Sequence, residues 1–361
     1  MSRTTYDMEM EGDGTETADA YARYEAIASS LPASACQGLG AAAYKNHRNF
    51  WYPAHQMAPT LAARDTFVAR PTDILVATLP KSGTTWLKAL VFAIAHRRVH
   101  TPVADGAGQR RHPLLGSSPH DLVPFLHYVY EKHRSAAVPH LEAMPAPRVL
   151  AVHAPLSALP VSVAGSGCRV VYMCRDPKDA LVSLWHYLRK ANRPGATAAS
   201  LEELLAAFCD GVSPFGPAWE HIAEYWRESL ARPEQVMFLR YEHLEEDTVG
   251  SVKRLAEFLG CPFTGEEAAG AVPEAVAALC GIERMRSVEA NRTGEYGVHW
   301  KFSNSAFFRN GEVGDWKQHM TAEMAQRIDG IMDGCPHVDG FRKFADEYNT
   351  TLDWRGGSCY S

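Results

Sequence analysis

Three things are scarce in this chain of 361 residues, and each scarcity removes a class of function. Basic charge is not in excess: 36 Lys and Arg face 42 Asp and Glu, a formal net charge of −6. A polyanion finds no attracting field, so a general nucleic-acid binder is excluded. Long apolar runs are missing. The longest uncharged one, Ala89 to Ala95, falls far short of the roughly 20 residues of a spanning helix, so no membrane partner is expected. Cysteine pairs are missing too. None of Cys36, Cys168, Cys174, Cys209, Cys261, Cys280, Cys335 and Cys359 stands in a CxxC. A zinc or thioredoxin motif is disfavoured, and reduced, mostly buried thiols are expected. The 16 histidines form no HExxH pair, and no metal is expected.

What is present is ordinary for a folded protein: 46% hydrophobic and 22% charged residues, too apolar for a disordered chain. The start is acidic, with Asp7, Glu9, Glu11, Asp13, Glu16 and Asp19 against Arg3. It fits neither a signal peptide nor a transit peptide, which points to the cytoplasm. Residues 1–35 read as a mobile tail with a helical piece near Tyr21 to Ser29, 36–350 as one domain and 351–361 as a second tail. No repeat or linker divides the middle.

From Asp73 onward one pattern recurs. Ile74–Leu79, Arg148–His153, Arg169–Cys174 and Gln235–Arg240 are short apolar runs, as expected of strands buried on both faces. Helical stretches follow three of them. The predicted fold is α/β, a single domain with a central, mainly parallel sheet flanked by helices. Functional groups in such sheets collect beyond the C-terminal strand ends, and there stand Lys81, His153, Arg175 and Tyr241. Residues 98–147 and 285–316 read as loop-dominated.

The first of these ends is Pro80-Lys81-Ser82-Gly83-Thr84-Thr85-Trp86, between strand and helix. A helix N-terminus offers free N–H groups and a positive dipole end to an anion. Gly83 allows close approach, the threonines add hydroxyls and Lys81 adds charge. It is not a Walker A loop, in which Lys follows the Gly; here Lys81 precedes Gly83. No strand end carries a clear Asp to hold magnesium. The loop therefore suits an anionic nucleotide without an obligatory metal.

PKSGTTW resembles the 5′-phosphosulfate loop of the cytosolic sulfotransferases, which use 3′-phosphoadenosine 5′-phosphosulfate (PAPS). Two more motifs agree in family order: Cys174-Arg175-Asp176-Pro177-Lys178-Asp179-Ala180-Leu181-Val182-Ser183 resembles the 3′-phosphate segment, and Arg309-Asn310-Gly311 with the following EVGDWK resembles the RKGxxGDWK signature. The runs 47-HRNFWYP-53, 119-PHDLVPFL-126 and 320-MTAEMAQRIDGIM-332 are similar to the plant branch.

The resemblance implies a P-loop-like phosphosulfate loop in which Lys81, Ser82, Gly83, Thr84, Thr85 and Trp86 hold the 5′ end, with Trp86 near the adenine. Arg175, Ser183, Arg309, Asn310 and Gly311 then take the 3′-phosphate, and Tyr241 the adenine. Asn310 replaces the family's usual Lys, giving up a charge. Cys280 fits the family, whereas Gly281 and Ile282 depart from it near the adenine. His153, before Ala154-Pro155, matches the catalytic base. The implied reaction is sulfuryl transfer from PAPS to a hydroxyl: His153 takes the proton, Lys81 neutralises the leaving phosphate, and Ser183 holds the 3′-phosphate and restrains Lys81.

The acceptor is expected to be a small hydroxylated plant metabolite, such as a flavonoid or phytohormone, in a pocket drawn from Trp51, Tyr52, Tyr187 and Phe215. A non-catalytic PAPS sensor and a phosphoryl transferase are the competing readings. The family dimer motif KxxxTVxxxE meets Lys317, Thr321, Ala322 and Gln326, two positions off pattern, so monomer and homodimer both stay open.

Overall fold

The computed structural model describes residues 20–34, 44–102, 112–190, 199–299 and 301–334. A helix over 20–30 leads into an antiparallel sheet of β1 (Ala33–Ser34), β2 (Tyr44–His47) and β3 (Phe50–Pro53). Tyr21 and Ala28 of that helix are buried in the core. Residues 20–34 therefore belong to the folded body, which corrects the expected tail boundary at 35. The acidic residues before position 20, Cys36, Cys335, Cys359 and the 351–361 tail lie outside the described residues.

The four expected apolar runs form β4 (Ile74–Thr78), β5 (Val149–Val152), β6 (Arg169–Cys174) and β7 (Val236–Arg240), parallel throughout in the order β5-β4-β6-β7. Alternate side chains serve opposite faces, and both faces are covered. Leu75, Ala77, Leu150 and Tyr172 join one apolar core, while Ile74, Val76, Val149 and Val171 join the other. That is why these strands read as continuous apolar runs rather than as an alternation. Asp73 and Arg148 pin the far ends of β4 and β5: their side chains are almost fully buried, with Arg148 Nε donating to Asp73 Oδ1 at 2.8 Å.

The region 98–147, expected as loop, instead carries helices Pro119–Leu122, Leu126–His133 and Ala137–Glu142. Between the first two, Phe125 bridges Ala151 in parallel and so extends the sheet beyond β5. Their shortness hides the helical period that a longer element shows. Residues 285–316 hold only short pieces, among them the β8 (Glu295–Tyr296) and β9 (Phe302–Ser303) pair. The described cysteines, Cys168, Cys174, Cys209, Cys261 and Cys280, have free thiols. Among the described residues no helix is long and apolar enough to cross a membrane.

Candidate active site

Lys81, His153, Arg175 and Tyr241 follow the C-terminal ends of β4, β5, β6 and β7, and all four line one cavity of about 430 Å³. The parallel arrangement puts these ends on one edge of the sheet, which is how residues 160 positions apart meet.

The loop after β4 turns into the helix Thr84–His96 through Gly83, at φ +87°. A Cβ there would stand 2.6 Å from Tyr241 Cδ2 and 2.7 Å from Met173 Cε. Only glycine lets this backbone cross Tyr241. Lys81, Gly83, Thr84, Thr85 and Trp86 line the cavity. Ser82 does not: it is 2% exposed and its N–H donates to Leu79 O at 3.2 Å, behind the loop. Thr84 Oγ1 is 2.6 Å from Thr78 Oγ1.

Lys81 Nζ lies 4.3 Å from the centroid of Tyr187. Burial, then the nearby Arg175, Arg309 and Lys190 charges, lower its pKa to about 7. An anion entering the cavity offsets the repulsion among these cations and favours the ammonium form.

Tyr241 joins three motifs. Its ring stacks edge-on with Trp86 at 5.3 Å, the Arg175 guanidinium lies 4.5 Å from its centroid, and its hydroxyl donates to Gly311 O at 2.6 Å. Arg175 Nη2 also donates to Glu312 O at 2.7 Å. The helix Pro177–Lys190 shows Asp179, Ser183 and Tyr187 at four-residue spacing on one face. Ser183 and Tyr187 line the cavity. Asp179, fully buried, accepts from Gly314 N at 2.7 Å and Trp316 N at 2.9 Å, fixing the turn that follows Arg309-Asn310-Gly311. Asp315 holds Arg309 Nη1 at 2.7 Å. Sequence reasoning did not anticipate either carboxylate holding this segment, although both lie inside the quoted motifs.

Two arginines bring guanidinium groups to the cavity. Arg175 Nε and Arg309 Nε have no hydrogen-bond partner among the described residues, and both residues line the cavity. Buried guanidinium N–H groups are rarely left so, and a phosphate oxygen satisfies them.

At the other end of the cavity is His153. Its Nδ1 is 2.7 Å from Thr78 O, a carbonyl that only accepts. The proton therefore sits on Nδ1, and Nε2 keeps its lone pair. The main chain is clamped as well: His221 Nε2 donates to His153 O at 3.0 Å and Tyr225 OH to Ala154 O at 2.8 Å. Burial, partly opposed by the Thr78 bond, lowers the His153 pKa to about 3, so the ring is neutral at physiological pH.

Phe125 and Phe215 flank His153, at 4.4 and 5.5 Å between ring centroids. With Tyr128, Tyr187, Tyr296 and Phe307 they make this end of the cavity aromatic. Tyr187 and Phe215 were expected there. Trp51 and Tyr52 were expected but do not line it. Tyr52 is 1% exposed and packs edge-on to Phe215 at 5.6 Å. Trp51 acts through its backbone: Phe215 N donates to Trp51 O at 2.7 Å, and Trp51 N to Gly216 O at 2.8 Å. The hairpin thus shapes the pocket by gripping Phe215, whose φ is +63°. Phe125 and Tyr128 were not anticipated, although 119-PHDLVPFL-126 was the signal available.

Comparison with known proteins agrees with this geometry. A family model described as "Sulfotransferase domain" matches residues 71–346. The chain is 42% identical over 313 residues to Cytosolic sulfotransferase 8 of Arabidopsis thaliana, covering 86% of this chain and 89% of that one. It is 40% identical over 286 residues to Cytosolic sulfotransferase 15 of the same plant, covering 79% and 78%. The crystal structure of an Arabidopsis thaliana protein assigned as a steroid sulphotransferase superposes with a TM-score of 0.65 at 33% identity, over 87% of this chain and 92% of that one. A mouse sulfotransferase complexed with PAP shares the fold, with a TM-score of 0.64 at 23% identity, over 85% and 99%. The chain belongs to the sulfotransferase family and sits with its plant cytosolic members.

Proposed function

We propose that this enzyme moves a sulfuryl group from PAPS to the hydroxyl of a small organic acceptor in the cytoplasm. The observation that carries the reading is the gathering of the Arg175 and Arg309 guanidinium groups in one cavity. They share a cavity with a helix N-terminal loop at one side and a neutral histidine at the other. The two cations and Ser183 receive the 3′-phosphate, with Asn310 and Gly311 closing over it. The loop from Lys81 to Trp86 receives the 5′-phosphosulfate, Ser82 supporting it from behind. Trp86 and Tyr241 border the adenine.

The acceptor hydroxyl enters between Phe125 and Phe215. His153 Nε2 accepts its proton as the oxygen attacks sulfur. The bond from sulfur to the bridging phosphate oxygen breaks, and Lys81 meets the charge that develops on that oxygen. Cytosolic relatives and PAP-bound enzymes of the same fold support the donor and the compartment. The aromatic lining favours flat, hydroxylated plant metabolites, flavonoid-like or hormone-like. Incubating the purified protein with PAPS and a panel of phenols and alcohols tests this by mass spectrometry. Gain of one sulfuryl group by any acceptor is the expected result. Binding of PAPS with no transfer to any of them would favour the sensor reading.

Asn310 is exposed at the cavity mouth, where the family usually carries Lys. Asn310→Lys is expected to tighten PAP binding roughly two- to fivefold at low salt, the range of one added surface charge pair. Titration at low and high ionic strength checks it, since the gain shrinks with salt.

A further inference from the structure

One buried polar chain in the molecule is left unused by this mechanism. Lys88, on the helix that follows the phosphosulfate loop, is 0% exposed. Its Nζ lies 3.1 Å from His120 Nδ1, and His120 Nε2 lies 3.0 Å from Thr85 Oγ1. Thr85 and His120 both line the cavity. No carboxylate among the described residues reaches ion-pair distance of Lys88. Its Nζ instead sits 3.5 Å over the Phe125 ring centroid and 5.7 Å from that of Tyr296. A fully buried lysine without a counter-ion is expensive as structure and calls for a reason.

The chain has two hydrogen-bond polarities. In one, Thr85 donates to His120, His120 donates to Lys88, and the threonine hydroxyl has no proton left to offer the cavity. In the other, Lys88 donates to His120 Nδ1 and His120 Nε2–H donates to Thr85 Oγ1. The Thr85 proton then points to whatever anion occupies the loop. A protonated Lys88 has no lone pair and permits only the second polarity.

We propose that Lys88 and His120 are positioning residues of a charge-coupled relay: an anionic donor at the loop sets the second polarity and draws a proton from solvent onto Lys88, which delivers its charge through His120 and Thr85. This rests on the reading that the loop takes the phosphosulfate. Burial holds Lys88 well below the usual lysine range, and an anion placed nearby shifts it back toward the ammonium form, which takes up proton. Burial likewise keeps His120 neutral, able to donate on one side and accept on the other. The other groups facing the relay are Asp121 beside His120, His153 at the end of β5, Lys81 in the loop and the Tyr296 hydroxyl on β8. Of these only Asp121 supplies negative charge, and it is exposed.

The test is calorimetric titration of PAP into the full chain at pH 8, in two buffers of different ionisation enthalpy, which gives the protons taken up on binding. Lys88→Met is expected to lower PAP affinity about tenfold, the loss of one charge-assisted bond, and to reduce proton uptake. Thr85→Val, with Lys88 intact, is expected to reduce uptake in the same way, and Thr85→Ser to restore it. Because Lys81 itself gains proton when the anion binds, the comparisons are made in a Lys81→Met background, where a merely structural role for Lys88 would leave the Thr85 pair without effect on proton uptake. Uptake unchanged from that background in both Lys88→Met and Thr85→Val would overturn the relay while leaving the donor site standing. Failure of the wild-type chain to bind PAP would overturn both. If Lys88→Met does not fold, the Thr85→Val and Thr85→Ser comparison decides alone.

Discussion

His153→Ala is expected to lower turnover by about 10² to 10⁴, the usual worth of a positioned general base, with PAP binding unchanged. The physical ground is the tautomer. Thr78 O takes the Nδ1 proton at 2.7 Å, which leaves Nε2 to accept from the acceptor hydroxyl. His153→Asn separates this role from a structural one. Asn keeps a donor near the Nδ1 position for Thr78 O but supplies no imidazole base. If both variants lose turnover alike, the base is what was lost. If Asn restores turnover, His153 serves only to hold the end of β5, and the assignment falls. The depressed basicity of His153, to about 3, means that its own titration does not appear as a neutral-pH limb.

The neutral-pH limb belongs to Lys81, and Lys81→Met should reduce kcat by about 10² to 10³, the range seen when one charge-stabilising donor is removed. The pH dependence follows from its pKa of about 7 in the free enzyme. A bound polyanion favours the ammonium form and so raises that value. Binding is then strongest below pH 7, where the ammonium is already present. It weakens as pH rises through 7, up to about tenfold per pH unit, until the raised bound-state value is passed. Measuring PAP affinity from pH 6 to 9 in the wild type and in Lys81→Met checks the sign. The decline should be smaller in the variant. Equal decline in both would assign the limb elsewhere, Lys88 on the helix that follows the loop being the next amine to examine.

Legibility of the site varied with how local each signal was. The loop Pro80–Trp86 carries its own explanation, because strand, positive-φ glycine and helix start are consecutive in the chain. The pairing of Arg175 with Ser183 is also local, set by one loop and two helical turns. Trp51 and Tyr52 misled for a physical reason. An aromatic cluster in a hairpin reports burial, and burial does not say whether the neighbour is a cavity or a core. Phe125 and Tyr128 were missed for the converse reason. They lie in a stretch of short helices placed beside His153 by partners distant in sequence, Ala151 and Tyr296 among them.

The sequence by itself determined the parallel α/β sheet, the four polar strand ends and the glycine turn that opens the helix after β4, because apolar runs, helix starts and charged residues act over a few positions. Tertiary structure decided the rest. It turned Tyr241 into the joint of three motifs, used Asp179 and Asp315 to fix the segment around Arg309, and lined the acceptor end with rings from separate segments. It also left Lys88 buried behind Thr85. Apart from Asp315 with Arg309 and Lys88 with Thr85, these are contacts between residues tens to more than a hundred positions apart, and no local pattern records them. A chain with a net charge of −6 thereby gathers three of its 36 Lys and Arg, Lys81, Arg175 and Arg309, in one cleft, where burial makes each count for more than it would at the surface.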